Sequence, residues 1–299
     1  MELIGLEPIK EICITTILTG QLIDGIPLSI LLVGPSGAGK SKTVLRLQGE
    51  MIHRADDLTA QGLWAILSGD RDNKLTHIVL GDFNLPLSHK ASVSGLTVAS
   101  MLTIMGDGTM RLDDGRTEKV LQHSPVGFVT AVTEDMYLDS HNKWRKLGIL
   151  RRLLAIHYTY GTGTKEAAQA AISAGKITLQ QPAGIKIARL PQRAHIPIAT
   201  EHSERIAALS LRLSTNLGQR VTWARRLPSV TASPAVMEIG TRKHLVQDKP
   251  LLEFSPHLFL RAMGQAHALY RHKAKVEAQD VEFLTALIDF TDPAHPKLL

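Results

Sequence analysis

The segment Gly34-Pro35-Ser36-Gly37-Ala38-Gly39-Lys40-Ser41 fits G-x-x-x-x-G-K-[ST] at every fixed position. Ahead of it, Ser29 to Val33 is an apolar run of strand length, and behind it Lys42 to Gly49 reads as helix. Strand, glycine-rich turn and helix start, in that order, make a cradle for phosphate. The glycines let backbone N–H groups turn inward, and the helix start adds positive potential. The spacing gives Lys40 reach to the β and γ phosphates of a nucleotide and sets Ser41 to ligate Mg²⁺. ATP and Mg²⁺ are therefore the expected cofactors, with Gly34 to Ser41 and Thr43 as their contacts.

Working outward, His77 to Leu80, Val126 to Val132 and Leu153 to Tyr158 are further apolar runs of strand length, and helical patterns lie between most of them. That alternation predicts a parallel sheet covered on both faces. From Gly161 to Thr200 glycines and prolines punctuate the chain, and Lys176 to Thr200 holds no acidic residue, which reads as a linker. Beyond it, Ser203 is a suitable N-cap for a helix carrying Ile206, Leu209 and Leu213; Ser255-Pro256 opens a second helix to about Tyr270, and a third begins near Ala278. The expected fold class is α/β, a phosphate-binding-loop parallel sheet sandwiched by helices, with a smaller all-helical C-terminal lid domain. The expected division is 1–162 for the core and 163–299 for linker and lid.

Of 299 residues, 44% are hydrophobic and 21% charged, which excludes wholesale disorder or a collagen-like chain. The net charge of +6 is compatible with an anionic partner. A lone cysteine, Cys13, cannot form an internal disulfide and suits a reducing cytoplasm. No secretory signal is visible, and Lys10, Glu11 and Asp24 interrupt every window that approaches the ~20 apolar residues of a membrane span. The thirteen histidines offer no His-x-x-x-His with an acidic partner, and Gly-x-Ser-x-Gly is absent.

The chain around the loop resembles the AAA+ ATPases, in particular their MoxR and minichromosome-maintenance branches, over nearly its whole length. Ile4-Gly5 looks like the h-h-G box that cups adenine. Thr76 to Asn84 looks like the second acidic motif, a hydrophobic strand ending in Asp-Glu, yet supplies one acid, Asp82. In one register Asp82 holds Mg²⁺ and Phe83 replaces the glutamate that polarises the attacking water. In the other, which matches the helicases' Asp-Glu-Phe-Asp as Gly81-Asp82-Phe83-Asn84, Asp82 is the base and Gly81 replaces the metal-side acid. Val126 to Thr133 looks like the sensor 1 strand, with Thr133 orienting water and Thr130 as the alternative. Met110 to Arg116 reads as a hairpin turning at Asp114-Gly115, placed where those branches carry a pore-facing hairpin, so Arg111, Arg116 and Lys119 are expected to touch substrate.

Gly148 to Leu153 resembles the segment bearing the arginine finger, and Arg152 is the expected finger. Its planar, permanently charged fork suits transition-state charge as no lysine does. Ser255 to Met263 resembles the sensor 2 helix; His257 stands where relatives carry arginine, and Arg261, four residues on, shares its helix face. The resemblance implies an ATPase assembled as a homo-oligomeric ring, hydrolysing ATP at subunit interfaces to remodel a protein or translocate a nucleic acid. Charge and the helicase-like register lean to DNA, whereas the short stretch between loop and acidic strand leaves no room for the helicases' long helix insert. The missing second acid and displaced sensor 2 arginine motivate a different reading, a hydrolysis-poor ATP-dependent switch or scaffold. A small-molecule kinase is a third, though it gives the C-terminal helices and the basic turn at Lys143 to Arg152 no role.

Overall fold

A computed structural model describes residues 5–23, 25–113, 118–174, 184–217, 219–225, 241–247, 256–293 and 295–299. In chain order the elements are α1 (Glu7–Leu18), β1 (Ser29–Gly34), α2 (Lys40–Val44), β2 (Leu47–Gln48), β3 (Ile52–Ala55), α3 (Ala60–Gly69), β4 (His77–Leu80), α4 (Asn84–Ser88) and α5 (Ala91–Gly106). Then come β5 (Thr109–Asp113), β6 (Glu118–Gln122), β7 (Gly127–Thr133), α6 (Glu134–Lys146), β8 (Leu153–Thr159), α7 (Thr162–Ser173), β9 (Ile185–Lys186), α8 (Thr200–Leu217), β10 (Gln219–Arg225), β11 (Thr241–Gln247), α9 (Pro256–Tyr270), α10 (Ala278–Asp289) and β12 (Lys297–Leu298).

Six strands form one sheet in the order β12-β8-β1-β7-β4-β3, and every neighbouring pair in it is parallel. β1 therefore lies between β8 and β7, and β4, which leads into Asp82, is separated from β1 by β7. The period-2 pleat of these apolar strands sends alternate side chains to two cores. Ile30, Leu32, Val129, Ala131, Leu154 and Ile156 face one core, shared with Ile9, Ile12 and Ile17 of α1 and with residues of α8, α9 and α10. Leu31, Val33, Phe128, Val132, Leu153 and Ala155 face the other, with residues of α3, α5 and α6. The α/β architecture expected from the sequence is thus present. Among the described residues no helix is long and apolar enough to cross a membrane.

Three expectations need correction. The helix after the loop stops at Val44, not Gly49, because Leu47-Gln48 pairs as a strand with Ile185-Lys186. The expected linker carries the helix α7, and α8 begins at Thr200, placing Ser203 inside the first turns. The C-terminal region is not all-helical. α8, α9 and α10 pack on one another, but the antiparallel strands β10 and β11 intervene in sequence between α8 and α9, and β12 returns to the main sheet beside β8. The 162/163 division falls where β8 passes into α7.

Candidate functional site

The loop follows β1 directly. Gly37 and Gly39 have φ of +78° and +73°, a left-handed backbone that a side chain would strain. Gly34 is required for another reason: a Cβ there would lie 2.7 Å from the Tyr158 carbonyl oxygen, so β8 approaches the loop closely only because residue 34 has no side chain. Lys40, 7% exposed, donates from Nζ to the carbonyls of Gly34 at 2.8 Å and Pro35 at 2.7 Å. Burial pulls its ammonium below the usual lysine range, and the nearby charge of Asp82 opposes that.

A cavity of about 450 Å³ opens above the loop, lined by Ser36 to Lys42, Asp82, Ala131 to Thr133 and Tyr160. Three separate strand ends thus bring Lys40, Ser41, Asp82 and Thr133 to one space. Thr133 arrives by register, opposite Gly34 at the end of the β1–β7 pairing. Asp82 is half-buried and its Oδ1 accepts the Asn84 N–H at 2.8 Å, fixing the carboxylate at the start of α4. Phe83, 1% exposed, turns the other way: its N–H donates to Ala131 O at 2.8 Å and its ring meets Trp144 edge-on at 5.4 Å. The position open to a glutamate is therefore occupied by a core side chain.

The other expected residues divide. Pro35 contributes a carbonyl to Lys40. Thr43 is 2% exposed and spends its hydroxyl on Gly39 O at 3.0 Å, so the structure turns it away from the cavity and into the loop's own support. Thr130 is fully buried opposite Leu31, mid-strand and away from the cavity. Ile4, Arg116 and Ser255 lie outside the described residues. Gly5, with φ of +75°, sits against Thr164, whose hydroxyl donates to Leu299 O. Leu299 O also accepts the Gly161 N–H, so Gly5 stands at the cradle end of β8. Arg111 and Lys119 are exposed on the β5–β6 hairpin, as expected.

Arg152 and Arg261 are not at the cradle. Together with Arg151, His195, Leu258 and Gln265 they line a second cavity of about 780 Å³ at the opposite end of the sheet, beside Ser29. One strand length, roughly 16 Å at ~3.3 Å per residue, separates the two ends. α9 runs antiparallel to α1: Met263 contacts Thr16 and His267 contacts Glu11, so the α9 start lies at the end of α1 remote from the cradle. His257, in that first turn, is half-buried and lines neither cavity.

Sequence reasoning missed two residues. Tyr158 and Tyr160 both donate their hydroxyls to Ala38 O, at 3.2 and 3.1 Å. Their two-residue spacing at the end of an apolar strand run was the available signal.

No family model matches the chain. Curated relatives do match part of it, several of them described as HPr kinase/phosphorylase. The Bacillus pumilus protein is 31% identical over 97 residues, covering 32% of this chain and 28% of that protein. The Geobacillus thermodenitrificans protein is 30% identical over 136 residues, covering 45% and 37% respectively. The Bacillus subtilis protein is 30% identical over 97 residues, 32% and 28%. The chain thus spans well under half the length of the curated relatives it matches.

Proposed function

We propose that this chain is an ATP- and Mg²⁺-dependent enzyme that cleaves the γ-phosphoryl bond with water as acceptor, working between copies as an AAA+-like ATPase. The observation that carries the reading is the convergence of Lys40, Ser41, Asp82 and Thr133 on one cavity beside a glycine-rich loop. Bound there, Mg²⁺ supplies Lewis-acid charge to the β and γ phosphates, and Ser41 and Asp82 are the residues that would hold it. Lys40 leaves its loop carbonyls for the phosphate oxygens, and Thr133 orients the water. With Phe83 in the core, Asp82 is the only acid lining the cavity among the described residues, so it must serve the metal, the water or both in turn.

The separation of Arg152 from the cradle favours an assembly. An arginine one strand length away cannot reach its own chain's γ-phosphate, but can meet the nucleotide of a neighbour stacked head to tail, and such contacts close into rings. Arg261 lies in the same cavity and would arrive at the same phosphate. The exposed Arg111 and Lys119 on the hairpin suit a macromolecular substrate, DNA or protein.

A second reading is a protein kinase, favoured by the description shared by the partial relatives, which names HPr as the protein acted on by them. The two differ in the acceptor. Steady-state turnover measured with and without a candidate protein substrate separates them: phosphate released to solvent supports the ATPase, and label transferred to protein supports the kinase. Turnover that is equal in the wild type and in Asp82→Ala would eliminate both and leave an ATP-binding switch.

A further inference from the structure

The two tyrosines that hold Ala38 have a consequence for the cradle. Tyr158 and Tyr160 stand two residues apart on the terminal strand segment, hence on one face, and a single carbonyl oxygen accepts from both through its two lone pairs. Ala38 is 2% exposed, so this carbonyl has little access to water if the hydroxyls are removed. Every described peptide bond is trans, and in a trans peptide the C=O and the following N–H point in opposite directions. Pinning the Ala38 carbonyl toward β8 therefore turns the Gly39 N–H the other way, toward the cavity that Gly39 lines.

We infer that Tyr158 and Tyr160 are positioning residues that preset the Ala38–Gly39 peptide so that its N–H is available to a nucleotide phosphate before the nucleotide arrives. The inference rests on the phosphate-site reading of the cavity. Gly39 is otherwise free to flip, since a glycine peptide meets little steric resistance, and an empty loop with an unfixed peptide would present a carbonyl to the phosphate part of the time. Two donors make the arrangement redundant. Tyr158 is buried in the core and Tyr160 borders the cavity. Burial pushes both phenols up, so each stays protonated and remains a donor through the neutral range. Gly34 completes the device, because its missing side chain lets the β8 backbone come close enough for the hydroxyls to reach.

The test uses the full chain as wild type, Tyr158→Phe, Tyr160→Phe and the double variant, with MgATP and adenosine as probes. Either hydroxyl alone suffices, so each single variant should bind MgATP within about threefold of wild type, and the double about tenfold or more weakly, beyond the product of the singles. Adenosine affinity should not change. Labelling with ¹³C-carbonyl alanine and ¹⁵N-glycine reports the peptide directly, because Ala-Gly occurs at 38–39, 174–175 and 183–184 only. One of those three cross-peaks should shift with MgATP in wild type and lose most of that shift in the double variant. MgATP binding by the double variant within twofold of wild type, or equal losses for MgATP and adenosine, would overturn the inference. Should the double variant melt below wild type, the cross-peak of Tyr160→Phe decides: a position changed from the wild-type apo value supports the clamp and an unchanged one refutes it. Wild-type chain that binds no MgATP sinks the phosphate-site reading itself, which keeps the two failures apart.

Discussion

Replacing Phe83 by glutamate restores the letters of an Asp-Glu motif, and the structure predicts that it will damage the protein without creating a catalytic base. Phe83 is 1% exposed and its ring packs edge-on against Trp144, away from the cavity that holds Asp82. Losing a buried phenyl ring costs about 3–5 kcal/mol, and setting a carboxyl among apolar side chains adds about 1–3 kcal/mol even when it stays protonated. The total, about 4–8 kcal/mol, rivals the whole stability of about 5–15 kcal/mol expected of a domain. At roughly 2–4 °C per kcal/mol the melting midpoint of Phe83→Glu should fall by about 8–30 °C. Phe83→Leu keeps the apolar volume and loses chiefly the ring pair, about 1–2 kcal/mol, so it should melt only some 2–8 °C lower. Thermal melts followed by circular dichroism, together with phosphate release from MgATP, measure both quantities. A Phe83→Glu protein that melts within about 3 °C of wild type and hydrolyses ATP faster would refute the reasoning, because residue 83 would then have to face the cavity.

Two further outcomes are expected. Lys40→Ala and Arg152→Ala should each be inactive alone, yet a 1:1 mixture should recover activity, since about a quarter of randomly formed head-to-tail interfaces combine an intact cradle with an intact arginine; a mixture as inactive as its components would count against the shared site. His267 is clasped by Asp280 at 2.7 Å and Glu11 at 3.1 Å, which joins α9 to α10 and α1. Burial pulls the imidazole down, but these hydrogen bonds and charges outweigh it and raise it, whereas Asp280 is lowered, its burial outweighed by bonds to His267, the Glu277 N–H and Arg271. Stability from a raised histidine is whole below its unfolded value near 6.5 and fades as pH rises through the folded value. Stability from a lowered aspartate is whole above 3.8 and fades as pH falls through its folded value. The difference in stability between wild type and His267→Gln should therefore be greatest between about pH 4 and 6.5 and shrink above, read from urea titrations at several pH values; a gap that widens toward pH 9 contradicts the assignment.

The central sheet was legible because a parallel strand buried on both faces is apolar at most of its positions. The runs beginning at Ser29, His77, Val126 and Leu153 match β1, β4, β7 and β8 to within a residue at their starts. β3 was not legible: Ile52-His53-Arg54-Ala55 lies at the sheet edge, half-exposed, and carries no apolar run. The cradle was readable since backbone geometry demands glycine at Gly37 and Gly39; Thr133, expected from the resemblance to a sensor 1 strand, lies at the strand end that lines the same cavity. Thr43 misled because a hydroxyl two residues past Ser41 looks available, while the helix turns it back onto Gly39 O. Arg261 lies far from its own chain's cradle because α9 packs antiparallel to α1, a direction that no local pattern encodes. The tyrosine pair's two-residue spacing was visible, but its partner was not: Ala38 is distant in sequence and adjacent only through the sheet.

Titration of MgATP into wild type and Lys40→Ala by calorimetry tests the account most directly. The wild type should bind saturably at one site per chain, and Lys40→Ala roughly ten- to a hundredfold more weakly, the loss of one charge-assisted phosphate contact. Absence of binding to wild type, or equal affinity in both, would contradict it.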